Sequence, residues 1–474
     1  MKKLIALTLA VLMTLSMVAC GSAGEGSAET TEAKPTKLQV GYAAVDITPD
    51  EDGLPLSGYG RTMNRLSKGT LSYLYVTCTA ITGTNGETIL NYGMDIIGSG
   101  DAYSFAPKVS KATGVPEENI IMSASHTHSA PDLSQTSVPG ILSFKEKLGK
   151  ALVEAAEKAM ENRCDAEMYI ATVETQSLNF VRRYVLENDT YAGDNYGDFN
   201  SAPIRGHETE VDNTMQLIKF EREADKDVVL ANFQTHPHRT GGSQKYDVSA
   251  DIVGRFRDSL GATLDCYVSY FTGGSANVNP TSRIEEENVY EDWKAHGDAM
   301  ATAALGAQYT KVEGTDVYAT SVVYRATLDH SLDHLVEKAK EMNDAYNAGA
   351  TWSEVMAMGK DDGILGAFHA QAIISKEKRG ETQDVALYAH SVGNVGFIAA
   401  PYEMFDISGM EVKEGSPFDM TFICTCANGS NGYMPVDAIW DNGGYSVQCC
   451  RFVRGTADAF VQEYIGMLNT LKGK

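Results

Sequence analysis

Twelve short apolar runs punctuate this chain, each of strand length and most bounded by turn residues. They span 38–46, 74–82, 88–96, 119–125, 166–175, 215–220, 228–235, 266–271, 317–324, 385–389, 395–399 and 420–426. Between several of them apolar residues recur at three- and four-residue steps. Ile141, Phe144, Leu148, Leu152, Ala155 and Ala159 mark one buried helix face, and Val453, Ala457, Phe460, Tyr464 and Leu468 mark another near the C-terminus. Residues 332–374 read as a helical insertion. Strands and helices that alternate from end to end predict an α/β or mixed α+β fold, one large domain of mixed sheets flanked by helices. A length of 474 residues permits more domains. The chain shows neither an internal repeat nor a long linker after Lys37, so one domain over 38–474 is expected.

The N-terminus carries its own signal. Met1-Lys2-Lys3 is a positive segment, followed by an apolar stretch from Leu4 to Val18 that is too short for a comfortable membrane span. It ends Met17-Val18-Ala19-Cys20-Gly21, small residues before a cysteine, which resembles a bacterial lipobox. Residues 1–19 are thus expected to be a lipoprotein signal peptide, Cys20 the lipidated residue, and 20–37 a flexible Gly/Ser/Ala/Glu/Thr tether. The expected location is extracytoplasmic, anchored to the bacterial cell membrane by lipid. The net charge of −24 argues against a nucleic-acid partner, because phosphate binding draws on a surplus of Lys and Arg. No protein partner is predicted.

Of eight cysteines, Cys20 is spoken for. The rest are odd in number, so at least one thiol is free or intermolecular. Cys424-Thr-Cys426 and Cys449-Cys450 lack zinc-finger spacing and read as core cysteines, with room for one disulfide.

Four of ten histidines fall in two matching elements, Ser125-His126-Thr127-His128 and Thr235-His236-Pro237-His238, each directly after an apolar run. Side chains two apart on a strand share a face, so each pair can enter one cleft at a strand end. Imidazole suits zinc, and catalytic zinc commonly has three protein ligands and an open position. Two strand ends thus predict a metal site with one histidine from each, and the spacing leaves the third ligand open. Asp95 and Asp251, near predicted strand ends, are readable equally as metal neighbours and as turn braces.

Further segments carry a resemblance. Gly41 to Pro49 (ending Asp46-Ile-Thr-Pro49), Ser125 to Pro131, Asn232-Phe233-Gln234-Thr235-His236-Pro237, Pro401-Tyr402-Glu403-Met404-Phe405, and Ala427-Asn428 through Tyr433 to Tyr445 resemble, in order, motifs of the neutral/alkaline ceramidase family. The resemblance covers most of residues 38–450. It implies a zinc site held by His126, His236, Glu403 and Tyr433. It implies that His128, Arg182 and Tyr445 face the substrate, with Arg183 as the one-residue alternative to Arg182, and that Gly58 gives a backbone contact near the site. It implies a hydrolase that cleaves an amide (N-acyl) bond of a small or lipid-like substrate by a metal-activated water. His128, Tyr445 and Arg182 would steady the oxyanion, and His128 would protonate the leaving group.

Two departures stand out. Aligned on Asn277 and Pro280, the family's serine position is Asn279, whose carboxamide offers a donor but no hydroxyl nucleophile. Ser275 is out of register and reads as a turn residue. The C-terminal β domain of the ceramidases is expected to be absent. Two alternatives therefore stay open: a zinc hydrolase of a non-ceramide ester or lactone, and a non-enzymatic solute-binding lipoprotein.

Overall fold

The computed structural model describes residues 34–60 and 62–474. The expected signal peptide, Cys20 and the tether up to residue 33 lie outside the described residues. All twelve predicted strands form, with ends displaced by a few residues. Eight of them, β1 (Gln39–Asp46), β2 (Tyr75–Thr82), β3 (Thr88–Met94), β4 (Ile120–Ala124), β5 (Cys164–Glu174), β6 (Thr214–Arg222), β7 (Val228–Phe233) and β8 (Tyr267–Thr272), build the larger sheet. Their spatial order is β8-β7-β6-β5-β1-β2-β3-β4, with the short Thr310–Lys311 pairing against β5. The pairs β3/β4 and β7/β8 are parallel and the others antiparallel, so the sheet is mixed. β4 and β7 are buried along their whole length, which is why they read as continuous apolar runs rather than as alternating ones.

The remaining four, β9 (Val317–Thr327), β10 (Thr382–Val392), β11 (Val395–Ala399) and β12 (Met420–Cys424), form a second sheet in sequence order. The two sheets meet over Phe271, Phe397 and Phe422. Asn232, fully buried, ties them together. Its amide nitrogen donates to the carbonyls of Phe271 and Ile423, and its oxygen accepts from the Ile423 N–H. Burying this amide is tolerable because both of its ends are bonded.

Helix Pro139–Glu161 lies on β1 and β2 and buries all six residues of the predicted face. It comes so close that a Cβ on Gly41 would stand 1.8 Å from the Ala159 carbonyl oxygen. Helices Asp251–Leu264 and Trp293–Leu305 cover the β7–β8 end. The predicted insertion folds as three helices, Val336–Asn347, Trp352–Gly359 and Ala367–Ile374, around an apolar cluster of their own. Helix Thr456–Lys472 packs on the second sheet. Val453, placed in that helix from the sequence, precedes it and is exposed. Gly455, at φ 87°, turns the chain into the helix only after it.

The disulfide the sequence left room for does not form: all seven cysteines among the described residues are free thiols. Among the described residues, no helix is long and apolar enough to cross a membrane.

Candidate metal centre

The histidine pairs sit beyond their strands, and turns rather than strand alternation bring them together. After β4 the Ser125 N–H donates to the Met94 carbonyl and the His126 N–H to that of Ile96, while His126 itself takes a left-handed φ of 67°. Such a conformation costs a non-glycine residue of order 1–3 kcal/mol and is held by its surroundings. After β7 the His236 N–H donates to the Val278 carbonyl, and the His128 N–H reaches across to that of Pro237. The result is a buried group, His126, His128 and His236, with candidate ligand atoms all within 4.8 Å of one another.

The C-terminal motifs dock onto the same place. Asn428 donates to the Ile120 carbonyl and accepts from the Met122 N–H, and the Ala124 N–H donates to the Cys426 carbonyl. This clamps the 426–428 segment along β4. Beyond it, Tyr433–Met434 pairs in parallel with Glu403–Met404, which carries Glu403 into the histidine group. Glu403 Oε2 stands 3.6 Å from His126 Nε2 and 3.5 Å from His236 Nε2.

The hydrogen positions follow from the neighbours. His126 Nδ1 donates to the Ile97 carbonyl at 2.5 Å and His236 Nδ1 to that of Val278 at 3.0 Å. The Cys426 sulfur also lies 3.5 Å from His126 Nδ1. Burial pushes both histidines below their ordinary range and Arg182 adds to this at each; His236 goes further, whereas Glu403 partly offsets the effect at His126. A neutral ring that donates from Nδ1 presents a bare lone pair at Nε2. Two such lone pairs therefore face a carboxylate oxygen. Among the described residues, His236 Nε2 and Glu403 Oε2 are buried without a hydrogen-bond partner, as are both ring nitrogens of His128. Acceptors that converge with no proton between them fit a cation, and a backbone carbonyl behind the ring of a histidine is the usual support for metal binding.

Around this group stand the other residues singled out from the sequence. Arg182 donates to the Ala276 carbonyl at 2.6 Å and to the Tyr433 hydroxyl at 3.2 Å. Burial opposes its charge, but Tyr433 and Asp194 outweigh that and hold it above its ordinary range. Burial, then the Glu403 charge, pushes the Tyr433 phenol well up. Tyr445 opens a short helix, packs edge-on against Tyr433 with ring centroids 5.2 Å apart, and lies under the Arg182 guanidinium. Burial drives His128 well below its ordinary range, and the neighbouring histidines add to this. Asn279 is buried, donating to Asp194 Oδ2 at 3.0 Å and accepting from His238 Nε2 at 3.0 Å.

The remaining residues read from the sequence have structural partners of their own. Arg183 turns away to pair with Glu208 and to bond the Gly443 carbonyl. Asp95 is a buried partner of Arg257, and Asp251 accepts from the N–H groups of Arg239 and Thr240, so each braces structure and neither joins the His126/His128/His236 group. Ser275 sits in the turn before Val278 and accepts its N–H. The chain also brings in groups the sequence did not single out. Tyr59 meets His128 edge-on, Asp194 arrives from a loop, and Phe368 of the helical insertion packs on Tyr445. No periodicity or motif marks these three.

The chain matches no protein-family model and no curated protein sequence. Its fold does match solved structures. Over 92% of this chain and 75% of the other it superposes on the neutral ceramidase from Pseudomonas aeruginosa, with a TM-score of 0.69 and 14% identity. A structure described as ceramidase complexed with C2 matches over the same shares, with a TM-score of 0.67 and 14% identity.

Proposed function

We propose that this protein is a zinc-dependent hydrolase of the neutral ceramidase family that cleaves an N-acyl amide bond of a lipid-like substrate. One observation carries the reading: in a ceramidase fold, His126 and His236 turn bare Nε2 atoms on Glu403 Oε2, at 3.6 and 3.5 Å, with no hydrogen between them. In this reading His126, His236, Glu403 and Tyr433 hold the ion. Zinc bound there would lower the pKa of a water molecule and polarise a carbonyl.

The chain's own residues do the rest. Arg182, charged and already aimed at Tyr433, donates to negative charge developing on the acyl oxygen, and the Tyr445 hydroxyl is the second donor. His128, whose ring nitrogens have no hydrogen-bond partner among the described residues, carries the proton to the departing amine. Asn279 supplies no hydroxyl, so the reading needs no serine nucleophile and the attacking group is water. Tyr59 packs edge-on against His128, and Phe368 against Tyr445. Lipidation at Cys20 would hold the enzyme on the outer face of the cytoplasmic membrane.

Elemental analysis of the chain from Gly21, wild type beside His236→Ala, tests this. Near one zinc per chain, lost in the variant, is the expected result. Metal-free protein in both would overturn the reading.

A further inference from the structure

The Asn279 side chain lies between a carboxylate and an imidazole, and that placement dictates its orientation. Asp194 Oδ2 stands 3.0 Å from Asn279 Nδ2, and His238 Nε2 stands 3.0 Å from Asn279 Oδ1. A carboxylate oxygen only accepts, so the group facing it must be the NH2. The amide oxygen is then turned to His238, and the ring nitrogen it meets must carry a proton. In a neutral imidazole that leaves Nδ1 as the acceptor. Among the described residues none bonds to that Nδ1. The half-buried ring stands 5.3 Å from His128 and 5.6 Å from His236. The other end of the chain of bonds is held too: Arg182 and Arg283 lie 3.9 and 3.8 Å from Asp194.

We infer that Asp194 acts through the Asn279 carboxamide to lock His238 as the Nε2–H tautomer, and that its Nδ1 accepts a hydrogen bond from an N–H or O–H group of the substrate. Asp194 and Asn279 are positioning residues in this scheme, and His238 is the group that touches substrate. The second half of the inference rests on the hydrolase reading above; the first half does not. The lock has a chemical consequence. An N-acyl amide carries an N–H beside the scissile carbon, whereas an ester carries no donor there. A fixed acceptor at this point therefore separates amides from esters of the same shape, because sites built to pair with a donor reject the analogue that lacks it.

Nitrogen NMR of histidine-labelled protein reads the tautomer directly, with the His238 signals identified by their loss in His238→Gln. The Nε2–H pattern is expected in the wild type. Asp194→Leu removes the acceptor and Asn279→Leu removes the relay, and each should move His238 toward the other tautomer. An Nδ1–H pattern in the wild type, or unchanged signals in both variants, would overturn the lock; the wild-type spectrum decides even if a variant does not fold. With a matched N-acyl amide and ester, both variants should lose about tenfold more kcat/KM on the amide than on the ester. Equal losses would overturn the substrate contact. Hydrolysis of neither compound by the wild type would overturn the functional reading, while the spectra still decide the lock.

Discussion

Gly58 abuts the imidazole of His128: a Cβ built on Gly58 would stand 2.3 Å from His128 Cγ. The same glycine holds φ at 96°, a region side chains avoid. Gly58→Ala is therefore expected to displace His128 and to cost about 1–3 kcal/mol in stability. Metal content should persist, since His126, His236 and Glu403 are untouched, while kcat falls. Paired elemental and kinetic assays of the variant check this.

Glu403 faces both His126 and His236 with one carboxylate oxygen. Glu403→Gln keeps the shape and removes the charge, so the purified variant should be substoichiometric in metal. Full retention would move Glu403 out of the ligand set.

Arg182 reaches the Ala276 carbonyl and the Tyr433 hydroxyl from one planar group. A lysine ammonium has the charge but not the fork. Arg182→Lys should lower kcat by roughly 100-fold with little change in metal content. Arg183→Lys, away from the cleft, should act on stability through the Glu208 pair instead.

Asn232 bonds both sheets from a fully buried position. Asn232→Leu leaves the Phe271 and Ile423 backbone groups unpaired, at a cost of about 3 kcal/mol. Urea titration should show the lower midpoint.

Two buried histidines outside the metal group, His390 and His296, contribute to a loss of stability in acid. Burial lowers His390 from 6.5 to about 4 and His296 from 6.5 to about 3. As pH falls below 6.5 the unfolded chain takes up these protons first, so the folded state loses about 1.4 kcal/mol per pH unit for each histidine. The loss runs to about pH 4 for His390 and about pH 3 for His296. His390→Gln should flatten the stability curve between pH 6.5 and 4 relative to the wild type, as measured by chemical denaturation at stepped pH.

The strands were legible because burial on both faces writes them as apolar runs, and β4 and β7 are the plainest cases. The helix Pro139–Glu161 was legible in its buried face, residue for residue. The two histidine elements were legible as a pair, though the reason offered, strand alternation, is not how the chain does it: His126 reaches the cleft through a left-handed turn. Glu403, Tyr433 and Tyr445 came from motif order, since nothing in periodicity separates them from ordinary packing residues. The choice of Arg182 over Arg183 needed register. Phe180–Val181 pairs with Val278–Asn279, and that pairing sets which arginine faces Tyr433. Asp194 and Phe368 were beyond reach because a loop and an insertion deliver them across long sequence gaps.

The clamp of the 426–428 segment on β4 joins positions 300 residues apart, as the Cys426–His126 contact measures. No contiguous half of the chain owns the donors, so the cleft is complete only when both sheets have closed. An ion taken up there would recognise the finished fold and nothing earlier. Its binding would pull the whole unfolding equilibrium with it, by about 4 kcal/mol at a thousandfold excess over its dissociation constant. Chelator-induced loss of thermal stability would then report assembly of the entire chain.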